Sequence, residues 1–139
     1  MRILVTEDNP GDLDIITQYI KKISKEIIID SADSLKKAKK CLNKQHYDLI
    51  FLDLMLPDSQ GFETVKEMKE AIDKSKNNKS CSVIILTGMR DYDIGKKAFS
   101  LGVQDFLTKD DIDSKTVSRT IHMSDYKQHL PKKKKMLWA

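Results

Sequence analysis

Short runs of apolar residues alternate along the chain with segments in which apolar residues recur every three or four positions. The apolar runs cover residues 3–5, 27–29, 49–52, 83–86 and, more weakly, 106–107. Runs of this length with almost no polar residue predict strands that are covered on both faces, as in a parallel sheet. Because a helical pattern follows each run, the sequence predicts five βα units around one parallel sheet.

The segments between the runs predict amphipathic helices. Asn9 followed by Pro10 is typical of a helix start, and the apolar residues after them form one stripe. Further helices are expected from about residues 34, 62, 92 and 114, and Gly102 fits a left-handed residue that terminates the fourth. The fifth has few apolar anchors and is expected to be the least deeply packed. Residues 73–80, which include three lysines, are expected to be a solvated exit from the third helix.

Length decides between the two architectures that repeated βα units allow. The chain has 139 residues, which is too short for the eight units of a closed barrel. We therefore expect one α/β domain: a flavodoxin-like, doubly wound (βα)5 three-layer sandwich with a parallel five-stranded sheet in the order 2-1-3-4-5. The domain is predicted to span residues 1–126.

Residues 127–139 are expected to form a basic and disordered tail. They contain five of the 25 basic residues and none of the 21 acidic ones, so the net charge of +4 belongs to the tail and the body is close to neutral. A solvated tail is favoured over contact with nucleic acid or with an acidic membrane surface. The chain shows no helix-turn-helix pattern and the tail no interleaved aromatic residues, so sequence-specific DNA binding is not expected.

Several classes of protein are not supported by the composition. The apolar runs are far shorter than the ~20 residues that cross a bilayer, and no signal-peptide pattern precedes the first strand. Cys41 and Cys81 are far apart and outside any Cys/His cluster, which predicts free thiols rather than a zinc site or a disulfide. We expect a soluble protein of the cytoplasm.

Charged and polar residues follow the predicted strands at the points where these end. Glu7 and Asp8 follow the first strand, Asp53 the third, Thr87 ends the fourth, and Lys109 follows the fifth. In sheets of this type, function collects at the carboxyl ends of the strands, above all where the strand order reverses. These side chains are therefore predicted to lie close together.

The predicted group of carboxylates needs positive charge. Two carboxylates 4 Å apart repel by about 4 kcal/mol at an effective dielectric constant of 20. Lys109 supplies one cation, and the remaining negative charge suits a hard ion with oxygen ligands, such as Mg²⁺. Beside such an ion a carboxylate oxygen of Asp53 could attack a phosphoryl group, and Thr87 offers a hydroxyl nearby.

These residues lie within motifs that resemble the receiver domain of two-component response regulators. The matching features are the acidic pair Glu7-Asp8, Asp53 with its continuation Leu-Pro-x-x-x-Gly, Thr87-Gly88, and Phe106-Leu107-Thr108-Lys109. They occur in order over about residues 1–125. Four such motifs, each at the end of the proper strand, make the resemblance specific.

The resemblance implies a function and a role for each residue. Asp53 would accept a phosphoryl group from a sensor histidine kinase or a phosphotransfer protein. Glu7, Asp8, Asp53 and the backbone carbonyl of Met55 would hold Mg²⁺. Lys109 would pair with the acyl phosphate.

The resemblance also implies how the signal is passed on. Thr87 would bond a phosphoryl oxygen, and Phe106 would change rotamer as Thr87 moves. The face formed by the fourth helix, the fifth strand and the fifth helix would then be altered for a downstream effector protein. A phosphorylation-driven homodimer stays open at this point, as does whether an output domain exists elsewhere.

The sequence departs from the family pattern in a few places. Asp110 stands where a proline is usual, Gly88 where alanine is commoner, and Glu7 rather than aspartate leads the acidic pair. Met55 and Met89 stand two residues beyond Asp53 and Thr87. These flexible apolar side chains cannot orient a hydrolytic water, which predicts slow self-dephosphorylation.

Two other functions are weighed against this one. A flavodoxin-like cofactor-binding module needs a phosphate-cradling first loop, whereas residues 7–12 are acidic. A Mg²⁺-dependent phosphohydrolase with an aspartyl-phosphate intermediate usually has a second acid two residues after the nucleophile, and here that residue is Met55. A signalling phosphoacceptor, which is not an enzyme acting on other substrates, is the favoured interpretation.

Overall fold

Parallel strands form a central sheet that is covered by helices on both faces. The structure is a computed structural model, and it describes residues 1–128. The strands of this sheet are β1 (Arg2–Thr6), β2 (Ile28–Ala32), β3 (Leu49–Leu52), β6 (Ser82–Thr87) and β7 (Asp105–Thr108), and a separate hairpin consists of β4 (Met55–Leu56) and β5 (Ser59–Gln60). The order in the sheet is β2-β1-β3-β6-β7, and all its pairings are parallel.

The helices divide between the two faces of the sheet. They are α1 (Pro10–Ile23), α2 (Leu35–Lys44), α3 (Phe62–Lys74), α4 (Tyr92–Ser100) and α5 (Ser114–Gln128). Apolar residues of α1 and α5 pack with one face, and those of α2, α3 and α4 pack with the other. The predicted flavodoxin-like three-layer architecture is confirmed, with β6 and β7 as its fourth and fifth strands.

Local signals fix several helix ends. The side chain of Asn9 accepts a hydrogen bond from the backbone N–H of Asp12, and Ser34 caps α2 in the same way. Gly102 follows α4 with a φ of 91°, a left-handed conformation that glycine adopts without a steric penalty. These three boundaries lie where the sequence predicts them.

The segment after α3 is exposed at its three lysines, as predicted, but two of its residues differ from the prediction. Ser75 is buried and Asn78 is fully buried. The side-chain oxygen of Asn78 accepts a bond of 2.7 Å from the N–H of Tyr47, and its amide nitrogen donates to the carbonyls of Leu42 and Gln45 at 2.9 Å each. One asparagine therefore ties this segment to the end of α2 and the start of β3.

Three sequence predictions concern the cysteines, the bilayer and the tail. Both cysteines are free; Cys41 is half-buried, and burial raises the pKa of the Cys81 thiol to about 12. Within residues 1–128 no helix has the length and apolar character to span a bilayer. Lys127 and Gln128, assigned to the tail by the sequence, belong to α5, and the rest of that tail lies outside the described residues.

Candidate functional site

A cleft opens at the carboxyl ends of the central strands. Its volume is about 420 Å³, and the residues that line it include Asp8, Asp12, Asp53, Met55, Gly88 and Lys109. Parallel pairing of β1, β3, β6 and β7 brings their carboxyl ends to one edge of the sheet. The residues that follow these strands therefore meet although they are far apart in the sequence.

Three carboxylates converge beside this cleft. Glu7, Asp8 and Asp53 each place one carboxylate oxygen within 4.8 Å of the others. Glu7 and Asp53 are buried, at 5% and 3% exposure, whereas Asp8 is exposed. The N–H groups of Glu7 and Asp53 donate to carbonyls of the neighbouring strands, Ala32 at 2.9 Å and Thr6 at 3.1 Å. Backbone bonds thus hold both buried acids at the sheet edge.

The ammonium group of Lys109 joins acidic residues from separate parts of the chain. Its Nζ lies 2.6 Å from Glu7 Oε1, 2.8 Å from Asp12 Oδ2 and 2.9 Å from Asp53 Oδ2. The backbone N–H of Lys109 donates to the carbonyl of Thr87, and this bond holds the backbone of Lys109 next to the end of β6. The predicted counter-charge is therefore present, and it has one partner, Asp12, that the sequence did not indicate.

Burial and neighbouring charges shift the pKa values of Glu7 and Lys109. Burial raises the pKa of Glu7 to about 7, and the nearby Asp53 adds to this effect while Lys109 opposes it. For Lys109, burial alone would lower the pKa. The hydrogen bonds to Asp12, Glu7 and Asp53 outweigh burial and hold the Lys109 pKa above its ordinary value.

The loop after Asp53 is folded back on itself by the hairpin of β4 and β5. The N–H of Met55 donates to Asp53 Oδ1 at 3.2 Å, which places this part of the backbone next to the carboxylate. Gly61 closes the loop with a φ of 69°, and its N–H donates to Leu54. Met55 itself is half-exposed and lines the cleft.

A carboxylate of the hairpin turn caps a helix elsewhere in the chain. Asp58 accepts bonds from the N–H groups of Leu35 at 2.9 Å and Lys36 at 3.0 Å, the first two residues of α2. Desolvation acts against ionisation, but the backbone hydrogen bonds together outweigh it and lower the pKa of Asp58. The loop that carries Met55 is thereby tied to α2.

Thr87 and Phe106 lie beside the acidic group rather than within it. Thr87 is fully buried, and its hydroxyl accepts a bond of 3.3 Å from the N–H of Met89. Phe106 is half-buried on β7, and its ring lies 3.8 Å from where a Cβ on Gly95 would stand. The threonine is thus one residue from the cleft, and the phenylalanine faces α4.

Phe106 lines a second, more apolar groove between α4 and β7. The volume of this groove is about 450 Å³, and exposed Tyr92 and Phe99 contribute to its walls. Arg90, which also lines it, pairs with Asp111 at 3.2 Å and with Asp110 at 3.6 Å. These ion pairs connect the loops that follow β6 and β7.

The donor atoms at the cleft fit a hard divalent cation. Glu7, Asp8 and Asp53 offer carboxylate oxygens, the ligand type that Mg²⁺ prefers. The excess of negative over positive charge around Lys109 also favours cation binding. A soft metal would need thiolate or imidazole ligands, whereas the three converging side chains offer only carboxylate oxygens.

Asp12 and Asp58 make long-range contacts that the sequence did not indicate. Asp12 is the third residue of α1, where an acid is usual because it stabilises a helix N-terminus. Local pattern gives no sign that it meets Lys109, which lies 97 positions later. Asp58 falls in a polar turn after a proline, and its partners are 22 and 23 positions earlier.

Comparison with known proteins gives consistent results. The family model described as the response regulator receiver domain matches residues 3–121. The transcriptional regulatory protein CiaR of Streptococcus pneumoniae is 31% identical over 110 residues, which cover 78% of this chain and 45% of CiaR. The chain spans less than half the length of the curated relatives that it matches.

Solved structures have the same fold. A two-component response regulator from Clostridium difficile superposes with a TM-score of 0.79 at 19% identity and covers 94% of this chain and 99% of its own. The receiver domain of the sensor histidine kinase PA1611 from Pseudomonas aeruginosa, with a magnesium ion coordinated in its active-site cleft, gives a TM-score of 0.71 at 21% identity. It covers 88% of this chain and 94% of its own.

Proposed function

The chain belongs to the family of response regulator receiver domains, and from this premise we propose that it is a signalling switch phosphorylated on Asp53. The phosphoryl group comes from a phosphohistidine of a sensor histidine kinase or a phosphotransfer protein. The observation that carries the proposal is the position of Asp53, a buried carboxylate beside the cleft that contacts the ammonium group of Lys109 at 2.9 Å.

The transfer needs a nucleophile and groups that offset charge. A carboxylate oxygen of Asp53 attacks phosphorus, the phosphorus–nitrogen bond of the donor breaks, and the imidazole leaves with the electron pair of that bond. Lys109 offsets negative charge on the transferring oxygens. The bond from the N–H of Met55 to Asp53 Oδ1 holds the carboxylate in one orientation for the attack.

We propose Mg²⁺ as the cofactor of the phosphoryl transfer. The carboxylates of Glu7, Asp8 and Asp53 and the backbone carbonyl of Met55 would hold it. When bound, the ion neutralises negative charge on the phosphoryl oxygens. The convergence of three carboxylates supports this assignment, as does the magnesium ion in the cleft of the PA1611 receiver domain.

Phosphorylation is transmitted through Thr87 and Phe106. The Thr87 hydroxyl leaves the N–H of Met89 to bond a phosphoryl oxygen, and Phe106 changes rotamer against α4. The face of α4, β7 and α5 is then reshaped for an effector protein or a second copy of the chain. To change the ratio of active to inactive conformations from 1:99 to 99:1, phosphorylation must stabilise the active conformation relative to the inactive one by about 5.5 kcal/mol.

The same cleft argues against the two alternative functions. Four carboxylates around it would repel the phosphate of a bound cofactor such as a flavin nucleotide. A phosphohydrolase would use a second acid at the position of Met55, whose side chain is apolar. A signalling phosphoacceptor accords better with the residues present.

The test is incubation with Mg²⁺ and acetyl phosphate, followed by peptide mass spectrometry. We expect one phosphoryl group on Asp53, none after addition of a chelator, and none in Asp53→Asn. Asp14→Asn serves as the matched control because Asp14 is exposed on α1 and accepts a bond from Gln18. Modification at another residue, or its persistence in Asp53→Asn, would overturn the proposal.

A further inference from the structure

Asp12 is an acidic residue of the cleft that neither the phosphoryl transfer nor the metal site described above uses. We propose that Asp12 competes with the phosphoryl group for Lys109 and so restrains the phosphorylation of Asp53. This inference rests on the proposed function. It adds a residue that sets how readily the site accepts phosphate.

The hydrogen-bonding capacity of Lys109 is fully used in this structure. An ammonium group has three N–H donors and no acceptor. In this structure the three acidic partners Glu7, Asp12 and Asp53 match these three donors. A phosphoryl oxygen that reaches Nζ must therefore replace one of the partners.

Burial indicates which partner is replaced. The side chains of Glu7 and Asp53 are each 4% exposed, and the bond from Glu7 to Nζ is the shortest of the three, whereas the side chain of Asp12 is 37% exposed. Water can solvate Asp12 after it leaves Lys109, but it cannot reach Glu7 to the same extent. Asp12 is thus the partner that exchanges with the phosphoryl group at the least cost.

Proximity adds repulsion to this competition. Oxygens of Asp12 and Asp53 contact the same nitrogen, so they lie no farther apart than the sum of 2.8 and 2.9 Å. A phosphoryl group on Asp53 brings further negative charge into this space. Its repulsion by Asp12 is reduced by solvent, because Asp12 is partly exposed, but it is not removed.

The start of α1 shows why the Asp12 carboxylate is available to Lys109. An acid at this third helical position usually bonds back to the N–H of the residue that caps the helix. Here the N–H of Asn9 donates to Glu7 Oε2 at 3.2 Å instead. The N–H of Asp12 donates to Asn9 Oδ1, which fixes the backbone while the carboxylate points to Lys109.

Competition for Lys109 predicts opposite effects on the cation and on the phosphoryl group. Asp12 lies outside the group of three carboxylates that converge within 4.8 Å, yet its charge attracts a cation to the cleft. Replacement of Asp12 by a neutral residue should weaken Mg²⁺ binding. At saturating Mg²⁺ the same replacement should make phosphorylation of Asp53 more favourable. A residue that only supports the fold would, when altered, impair both.

The experiment compares Asp12→Asn with the unaltered chain and with Asp14→Asn. At saturating Mg²⁺ we expect Asp12→Asn to accept phosphate from acetyl phosphate about tenfold faster, equivalent to about 1.4 kcal/mol. Beryllofluoride, a phosphoryl mimic, should bind more tightly, as measured by NMR titration. Calorimetry without a phosphodonor should show Mg²⁺ binding weakened several-fold. Asp14→Asn should match the unaltered chain in all three measurements.

Other outcomes would reject the role of Asp12. An unchanged or slower rate in Asp12→Asn, with the unaltered chain phosphorylated normally, rejects the inference alone. A parallel loss of Mg²⁺ binding and rate rejects it in favour of a structural role, and urea unfolding of the variant identifies such a loss of fold. Failure of the unaltered chain to accept phosphate at Asp53 rejects the proposed function and the inference together.

Discussion

Replacement of Lys109 by methionine is expected to destabilise the metal-free protein. Methionine keeps much of the apolar stem but removes the ammonium group that contacts Glu7 and Asp53. These carboxylates are almost fully buried, and Lys109 itself is only 19% exposed. Removal of one partner from a buried ion pair costs about 3–5 kcal/mol because a charge is left uncompensated. We expect a loss of that size at pH 8 with a chelator present.

The stability cost of Lys109→Met should depend on pH. The pKa of Glu7 is raised to about 7 even with Lys109 present, and without Lys109 it rises further. A group whose pKa is higher in the folded state than in the unfolded state favours folding at low pH, and this stabilisation is lost as the pH rises through the folded-state pKa. The cost of Lys109→Met should therefore be smaller at about pH 5 than at pH 8.

Urea unfolding followed by circular dichroism measures both effects. The control is Lys37→Met, which breaks an exposed pair with Asp33 and should cost less than about 1 kcal/mol at either pH. Saturating Mg²⁺ at a hundredfold its dissociation constant should restore about 2.7 kcal/mol to Lys109→Met. Equal, small costs for the two variants at both pH values would refute the argument that Lys109 compensates buried charge.

Three further outcomes are expected. Asn78→Ala should lower the free energy of unfolding by about 3 kcal/mol, because it removes the partner of the buried Tyr47 N–H and two further bonds to carbonyl groups. Exposed Asn77→Ala should change it by less than about 0.5 kcal/mol in the same urea titration. Met55→Asn should shorten the lifetime of the phosphate on Asp53 several-fold, which decay of the phosphorylated species on a phosphate-affinity gel would show; an unchanged lifetime contradicts the role given to this side chain. Asp58→Ala should cost about 1 kcal/mol through lost capping of α2, with a smaller cost for Asp58→Asn, and equal costs would argue against the two-oxygen cap.

Local patterns in the sequence were sufficient for the fold. The continuous apolar run Leu49–Leu52 specifies a strand that is buried on both faces, and all four of its residues are buried. The run at residues 27–29 leads instead into β2, an edge strand in which Ile28 is exposed. Asn9 with Pro10 specifies a helix start because the asparagine side chain caps the first turn and proline fixes its own φ, and Gly102 specifies a helix end because glycine adopts a positive φ without a steric penalty. Strand ends then place Glu7, Asp53 and Lys109 at one edge through the rule for parallel sheets.

Contacts between distant segments were beyond such patterns. Asn78 and Asp58 lie in polar stretches that read as ordinary loops, and their bonding partners are determined only by tertiary packing. The hairpin of β4 and β5 has two residues in each strand, which is too short to produce an alternating pattern. Asp12 has a sufficient local explanation as a helix-start acid, so nothing in the sequence pointed to its second role.

The buried thiol of Cys81 offers a way to follow transient opening of the molecule. The thiolate is the form of cysteine that attacks alkylating reagents, and a pKa of about 12 together with burial leaves almost no accessible thiolate at neutral pH. Modification of Cys81 therefore requires local unfolding of the entry to β6, next to Asn78. The rate of labelling at this position, with half-buried Cys41 as an internal reference, would report how often that corner of the sheet unfolds and whether phosphorylation changes that frequency.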